Sequence, residues 1–170
     1  MDDVDPAARL IVGGMYGYPN NDRAMNLKPF MKRVYDRKGM MGVIDGVSLH
    51  PYGKNIKHVR KQVVIARRLL NKVGDRNAEL IIGEVGWASA GNPHELVKNK
   101  PKQAKLLREA YSMFIKKRGR WNVDSVFWYI WRDFKEMGTC PWCAKAGLLN
   151  KDGEAKPAWN AYRTLIANRT

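Results

Sequence analysis

One pattern recurs four times along this chain: a short apolar run, then a longer stretch with apolar residues every three or four positions. The runs are Arg9–Gly14, Val43–His50, Glu79–Glu84 and Val123–Trp131. The stretches that follow them lie near Met25–Arg37, Ile56–Val73, Pro101–Lys117 and Pro157–Ala167. In the second stretch Ile56, Val59, Val63, Ala66, Leu70 and Val73 form one apolar stripe at helical spacing, and Ala104, Leu107, Tyr111 and Phe114 do the same in the third. The short runs are mostly apolar rather than alternating, which predicts strands covered on both faces. No hairpin signal separates them. Strand–helix alternation of this kind predicts an α/β fold with a parallel sheet.

The strands begin near residues 9, 43, 79 and 123, so the units are 34, 36 and 44 residues apart. A closed (β/α)8 barrel usually needs about 250 residues. Four units in 170 residues therefore predict half a barrel, folded as one domain over residues 1–170. A small doubly wound sheet satisfies the same pattern, but Gly13-Gly14 is followed by Met-Tyr-Gly-Tyr-Pro and no G-x-G-x-x-G occurs, so the half-barrel leads.

Composition narrows the class further. Six Trp, seven Tyr and four Phe supply enough apolar area for a packed core, which argues against disorder. No run of about 18 apolar residues exists, so no membrane span is expected. The start, Met-Asp-Asp-Val-Asp, is acidic and lacks the apolar core of a secretory signal. The net charge is +15, from 31 Lys and Arg against 16 Asp and Glu. The cations recur at polar helix positions such as Lys57, Arg60, Lys61, Arg67, Arg68 and Lys72, rather than in a block. Solvated helix faces are expected ahead of a polyanion site, and nucleic acid is not an expected partner.

Polar residues gather where the strands end, which in parallel α/β folds is the face that carries function. The second strand ends in His50-Pro51-Tyr52, the third in Gly83-Glu84-Val85-Gly86-Trp87, and the fourth in Trp131-Arg132-Asp133. A carboxylate can attack an anomeric carbon, a tyrosine can hold it in orientation, and an indole offers a flat face to a sugar ring. Singly, each has a plainer role. Glu84 could cap a helix, His50 could sit satisfied in the core, and Trp128 or Trp131 could fill the barrel.

Four segments carry a resemblance: Asp45–Tyr52, Gly83–Ser89, Trp128–Asp133 and Ala146–Ala158. Together they resemble the last four βα units of clan A retaining glycoside hydrolases, closest to the xylosidase- and cellulase-like branches, over about residues 9–168. The resemblance implies that Glu84 is the nucleophile and that His50 and Tyr52 line the sugar subsite. It further implies that Trp131 stacks under the sugar; Trp87 is a second candidate for substrate contact. No cofactor is implied, and the expected ligand is a carbohydrate. The family's acid/base Glu, which follows an Asn at the end of the fourth barrel strand, has no counterpart here. Glu95, Asp133 and Glu136 stand near strand-end loops, but no motif supports them in that role. The expected partner is the other half of the barrel or a second copy of the chain.

Cys140-Pro-Trp-Cys143 can be a redox pair, half a zinc site or a small disulfide loop. It opens no helix and has no second cysteine pair, so a disulfide with no metal is expected, in a secreted parent enzyme.

Overall fold

A computed structural model describes residues 5, 7–17, 25–135 and 140–167. The elements run β1 (Ile11–Met15), α1 (Leu27–Tyr35), β2 (Gly46–Leu49), α2 (Ile56–Val73), β3 (Glu79–Val85), α3 (Lys100–Trp121), β4 (Val123–Trp128), a 3-10 turn (Cys143–Lys145) and α4 (Pro157–Ala167). Asparagine starts three of the helices. Asn26, Asn55 and Asn99 each accept a hydrogen bond from a first-turn backbone N–H, which satisfies donors the helix leaves unpaired. Two helices end in left-handed residues, α2 at Gly74 (φ 94°) and α3 at Asn122 (φ 51°).

α3 runs four residues past the predicted Lys117, because Trp121 is buried and meets Phe114 edge-on at 6.5 Å. Two strands are shorter than expected. The residues ahead of β2 are a connector in which the Asp45 carboxylate accepts the Leu10 N–H. β4 stops at Trp128 because the following residues turn toward the Ala146–Leu149 segment. There Ile130 N–H donates to Ala146 O and Leu148 N–H to Ile130 O, and the Tyr129–Ile130 peptide is cis.

All strands pair in parallel in the order β1-β2-β3-β4. Right-handed crossovers between successive neighbours put every connecting helix on the same face. A doubly wound sheet needs a reversal of strand order with helices on both faces, so that alternative is excluded. The result is a small α/β domain of four parallel strands and four helices, consistent with a half-barrel. The helices pack in sequence, α1 on α2, α2 on α3 and α3 on α4.

The core lies between the sheet and this helix layer. Val47, Leu49, Leu80 and Ile82 meet Val59, Val63, Ala66 and Leu70, all essentially inaccessible. Each such Val or Leu contributes about 1.5–3 kcal/mol of burial. Ala104 and Leu107 of α3 join Ala158 and Ala161 of α4 in a smaller cluster. The expectation of two covered faces fails. Ile11 is 38% exposed and Phe127 56%, and β1 is buried only at Met15, because no second layer lies over the face away from the helices among the described residues. No helix is long and apolar enough to cross a membrane among the described residues.

Candidate functional site

Three strand ends converge on Glu84. In the β2–β3 pairing Leu49 stands opposite Ile82, so His50 and Tyr52 leave β2 at the level where Glu84 leaves β3. Gly83 makes this close approach possible: a Cβ there would lie 2.5 Å from Ser48 Oγ and 3.1 Å from His50 Nε2. Gly86 does the same on the other side, where a Cβ would fall 2.2 Å from the Tyr129 carbonyl oxygen. The Gly-Glu-Val-Gly sequence thus seats the carboxylate between β2 and the end of β4.

Tyr52 Oη donates to Glu84 Oε2 at 2.5 Å, and His50 Nδ1 lies 3.3 Å from the same oxygen. Oε1 has no protein partner among the described residues. A carboxylate held by one oxygen and free at the other is oriented yet still able to react. The side chains of Glu84 and His50 are 34% and 26% exposed, so the site is open to solvent. Burial, then the hydrogen bond to Glu84 and its negative charge, push the Tyr52 phenol far above its ordinary value, which keeps it a donor. Burial and the Glu84 charge raise Tyr129 as well.

Tyr52 is the centre of an aromatic cluster that sequence reasoning missed. Tyr16 from the end of β1, Tyr129 after β4 and Trp142 surround it edge-on, with ring centroids 6.1, 6.3 and 4.7 Å away. Tyr16 and Tyr129 obey the strand-end rule that found His50 and Glu84, so extending that rule would have reached them. Trp142 sits inside the Cys140–Cys143 loop, whose sulfurs are bonded, and it also meets Tyr129 at 5.5 Å. Buried Gln62 of α2 fixes the cluster's backbone. Its Nε2 donates to Tyr52 O at 2.6 Å and its Oε1 accepts from Gly17 N–H at 3.0 Å, tying the β1 and β2 ends together.

Trp87 and Trp131 differ from expectation. Trp87 is fully buried, its indole N–H donating to Gly53 O at 2.8 Å and its ring tilted against Trp128. It offers no face to a sugar and instead clamps the β3 end to the loop after β2. Trp131 is 56% exposed, but its ring meets Trp159 of α4 edge-on at 5.1 Å. The ring that the end of β4 delivers to Tyr52 belongs to Tyr129. β4 ends at Trp128, three residues before Trp131, and the chain there turns toward the Ala146–Leu149 segment.

The carboxylates near strand-end loops can be placed. Asp133 is buried; its Oδ1 accepts from Lys156 Nζ at 2.6 Å and from Gly147 N–H at 2.8 Å. Lys156 also donates to Ser89 Oγ and Lys145 O, so this ion pair locks three loops together and is structural. Glu95 lies exposed in the loop between β3 and α3, and Glu136 is outside the described residues. No second carboxylate bonds to His50, Tyr52 or Glu84 among the described residues. No group of three or more His, Cys, Asp or Glu could hold a metal ion there.

No family model matches the sequence, and no curated protein matches it. Solved structures that share the fold include glycoside hydrolases. A family 39 glycoside hydrolase from the gut symbiont Bacteroides cellulosilyticus WH2 superposes with TM-score 0.57 at 21% identity, over 80% of this chain and 29% of that one. A GH2 β-galacturonidase from Eisenbergiella tayi gives 0.61 at 14%, over 96% and 28%. A Faecalibacterium prausnitzii β-glucuronidase gives 0.58 at 14%, over 98% and 26%. The chain therefore spans less than a third of the length of each of these enzymes.

Proposed function

We propose that this chain is the C-terminal half of a retaining (β/α)8 glycoside hydrolase, with Glu84 as its nucleophile. The observation that carries the reading is the convergence on one oxygen of Glu84, at adjacent parallel strand ends, of Tyr52 Oη, which donates to it at 2.5 Å, and His50 Nδ1, which lies 3.3 Å away. Glu84 Oε1 attacks the anomeric carbon as the bond to the leaving oxygen breaks, giving a glycosyl ester. Water then adds to the same carbon, the carboxylate leaves, and the sugar is released. Tyr52 holds the carboxylate plane throughout. His50 and the exposed side of Tyr129 face the sugar.

Protonating the leaving oxygen needs a second carboxyl roughly 5 Å from the first, across the scissile bond. In this reading it comes from the other four βα units of the barrel, which also cover the open sheet face. A non-catalytic sugar-binding half-barrel is the second reading, favoured by Asp133 being committed to Lys156. A dinitrophenyl 2-deoxy-2-fluoroglycoside separates the two, because its leaving group departs without a general acid. Mass spectrometry should find a glycosyl adduct on Glu84 that disappears in Glu84→Gln. Failure of Glu84 to label, both alone and with a companion half-barrel supplying an acid carboxylate, would overturn the nucleophile assignment.

A further inference from the structure

Among the described residues four rings surround Tyr52, and three of them are the first residue after a strand: Tyr16, His50 and Tyr129. Backbone hydrogen bonds fix each. His50 N–H donates to Met15 O at 2.7 Å, Tyr129 N–H to Val85 O at 3.0 Å, and Tyr16 O accepts from Leu27 N–H at 3.3 Å. The fourth ring, Trp142, lies in the loop between β4 and α4. Yet it is the nearest, 4.7 Å from Tyr52 against 6.1–6.4 Å for the others, and it is buried.

Trp142 is anchored differently on its two sides. After it, Lys145 N–H donates to Trp142 O at 3.2 Å, Phe134 N–H to Ala144 O at 3.2 Å and Ser89 N–H to Lys145 O at 2.9 Å. Before it, no backbone hydrogen bond reaches Cys140 or Pro141 among the described residues. The Cys140–Cys143 bond closes that side instead. It brings the two Cα atoms to 5.6 Å and encloses Trp142 in a covalent ring, inside which Cys143 N–H donates to Cys140 Sγ at 3.3 Å. A cross-link over so short a loop leaves Trp142 few other backbone conformations. The constraint reaches Glu84 in two contacts, since Trp142 packs on Tyr52 and Tyr52 Oη donates to Glu84 Oε2. Gln62 holds the Tyr52 carbonyl but not its ring, so the ring depends on its neighbours. Both cysteines are only partly buried and Pro141 is exposed, which leaves the bond open to attack.

We propose that Trp142 is a positioning residue for Glu84 and that the Cys140–Cys143 bond is a redox switch acting through it. With the sulfurs bonded, Trp142 keeps the Tyr52 hydroxyl on Glu84. A dithiol opens the bond by exchange: its own two thiols are oxidised to a disulfide, and two electrons and two protons pass to the cysteine sulfurs. Trp142 then leaves Tyr52, and the hydrogen bond to Glu84 loosens. The displacement of Tyr52 stands on the packing alone, while its effect on chemistry rests on the glycosidase reading. The test compares the 170-residue chain oxidised, reduced with dithiothreitol and desalted under argon, and as Cys140→Ser/Cys143→Ser, with thiols counted by alkylation and mass spectrometry. Tyr52 is read directly by fluorine NMR of the fluorotyrosine-labelled chain, its resonance assigned by its loss in Tyr52→Phe. On reduction that resonance should shift and titrate at lower pH, because part of the burial that holds the Tyr52 proton is gone. The double Ser variant should match the reduced chain and ignore dithiothreitol. In the oxidised chain Trp142→Ala should reproduce the shift, and Trp142→Phe should restore most of the oxidised signal. Glu84 labelling by the activated fluoroglycoside should slow about tenfold on reduction and in Trp142→Ala, but less than about threefold in Trp142→Phe. Circular dichroism and urea unfolding define conditions in which every form is folded, so that a loss of stability alone moves neither readout. A Tyr52 resonance unmoved by reduction and by Trp142→Ala would overturn the proposal, whether or not Glu84 labels. So would measurable labelling at equal rates in the oxidised and reduced chains. A resonance that moves while no form labels would support the positioning of Tyr52 and count against the glycosidase reading instead.

Discussion

Replacing Tyr52 by phenylalanine isolates the contact on which the site depends. The ring is buried and packs against Tyr16, His50, Tyr129 and Trp142, and all four contacts survive the change. What is lost is the 2.5 Å hydrogen bond to Glu84 Oε2. A hydrogen bond to a charged group is worth about 1.5–3 kcal/mol, but Glu84 is a third exposed, so water recovers part of it and about 1 kcal/mol of stability is expected to go. Tyr52→Ala, which also empties the aromatic cluster, should cost about 3–5 kcal/mol. Urea unfolding followed by tryptophan fluorescence measures both. Chemistry should respond more strongly than stability. With Glu84 no longer held by its main donor, the rate of labelling by an activated fluoroglycoside should fall about 10–100-fold in Tyr52→Phe, as expected for about 1.5–3 kcal/mol of lost orientation. Equal destabilisation by Phe and Ala would show that the hydroxyl, not the ring, carries the packing. Undiminished labelling of the Phe variant would refute the orienting role.

Three further outcomes follow from the structure. Gly86→Ala should destabilise by about 1–3 kcal/mol in chemical denaturation, because its Cβ meets the Tyr129 carbonyl at 2.2 Å and backbone cannot yield as a side-chain tip can. Gly119→Ala in α3, with open space around it, should stabilise by about 0.5–1 kcal/mol. Tyr35, Tyr52, Tyr111 and Tyr129 are all raised by burial above the ordinary phenol value of 10.0. Protons held more tightly in the folded state mean that their contribution to stability is complete below pH 10 and declines as the pH rises above it. Ultraviolet titration at pH 11 should therefore find Tyr35, Tyr52 and Tyr111 still protonated in the native chain and ionised in guanidinium; their full ionisation without unfolding would contradict their burial.

The helices were legible because their signals are local. The stripe Val59, Val63, Ala66, Leu70 is the buried face of α2, and α2 and α4 occupy the predicted spans. Strand order was not local; the half-barrel reading rested on chain length and the missing G-x-G-x-x-G, and the observed order β1-β2-β3-β4 is consistent with it. Glu84, His50 and Tyr52 were legible as strand-end polar residues, and the structure brings all three together. The differences lie where the chain leaves the sheet. The expected fourth strand ran to Trp131, but β4 ends at Trp128, and the ring beside Tyr52 belongs to Tyr129. Trp87 reads as a site residue by its distance from Glu84, but past Val85 its indole finds the Gly53 carbonyl and is buried. Lys156 and Asp133 are 23 residues apart, and nothing in either segment announces the other.

In the proposed glycosidase, the open sheet face and the acid that these four strands do not supply are two aspects of one geometry. Among the described residues helices cover only one side of β1–β4, so Ile11 and Phe127 stand exposed while the other large apolar side chains are mostly packed. In a closed barrel such residues face strands across the axis, and catalytic groups come from several strands around the same rim. Glu84, His50, Tyr52 and Tyr129 occupy the rim that three adjacent strand ends can reach. A carboxyl roughly 5 Å from Glu84, on the far side of a bound glycosidic bond, must project from a wall that these four strands do not form. The same added wall that buries Ile11 and Phe127 would therefore carry the proton donor, so gain of core burial and gain of leaving-group protonation should occur together.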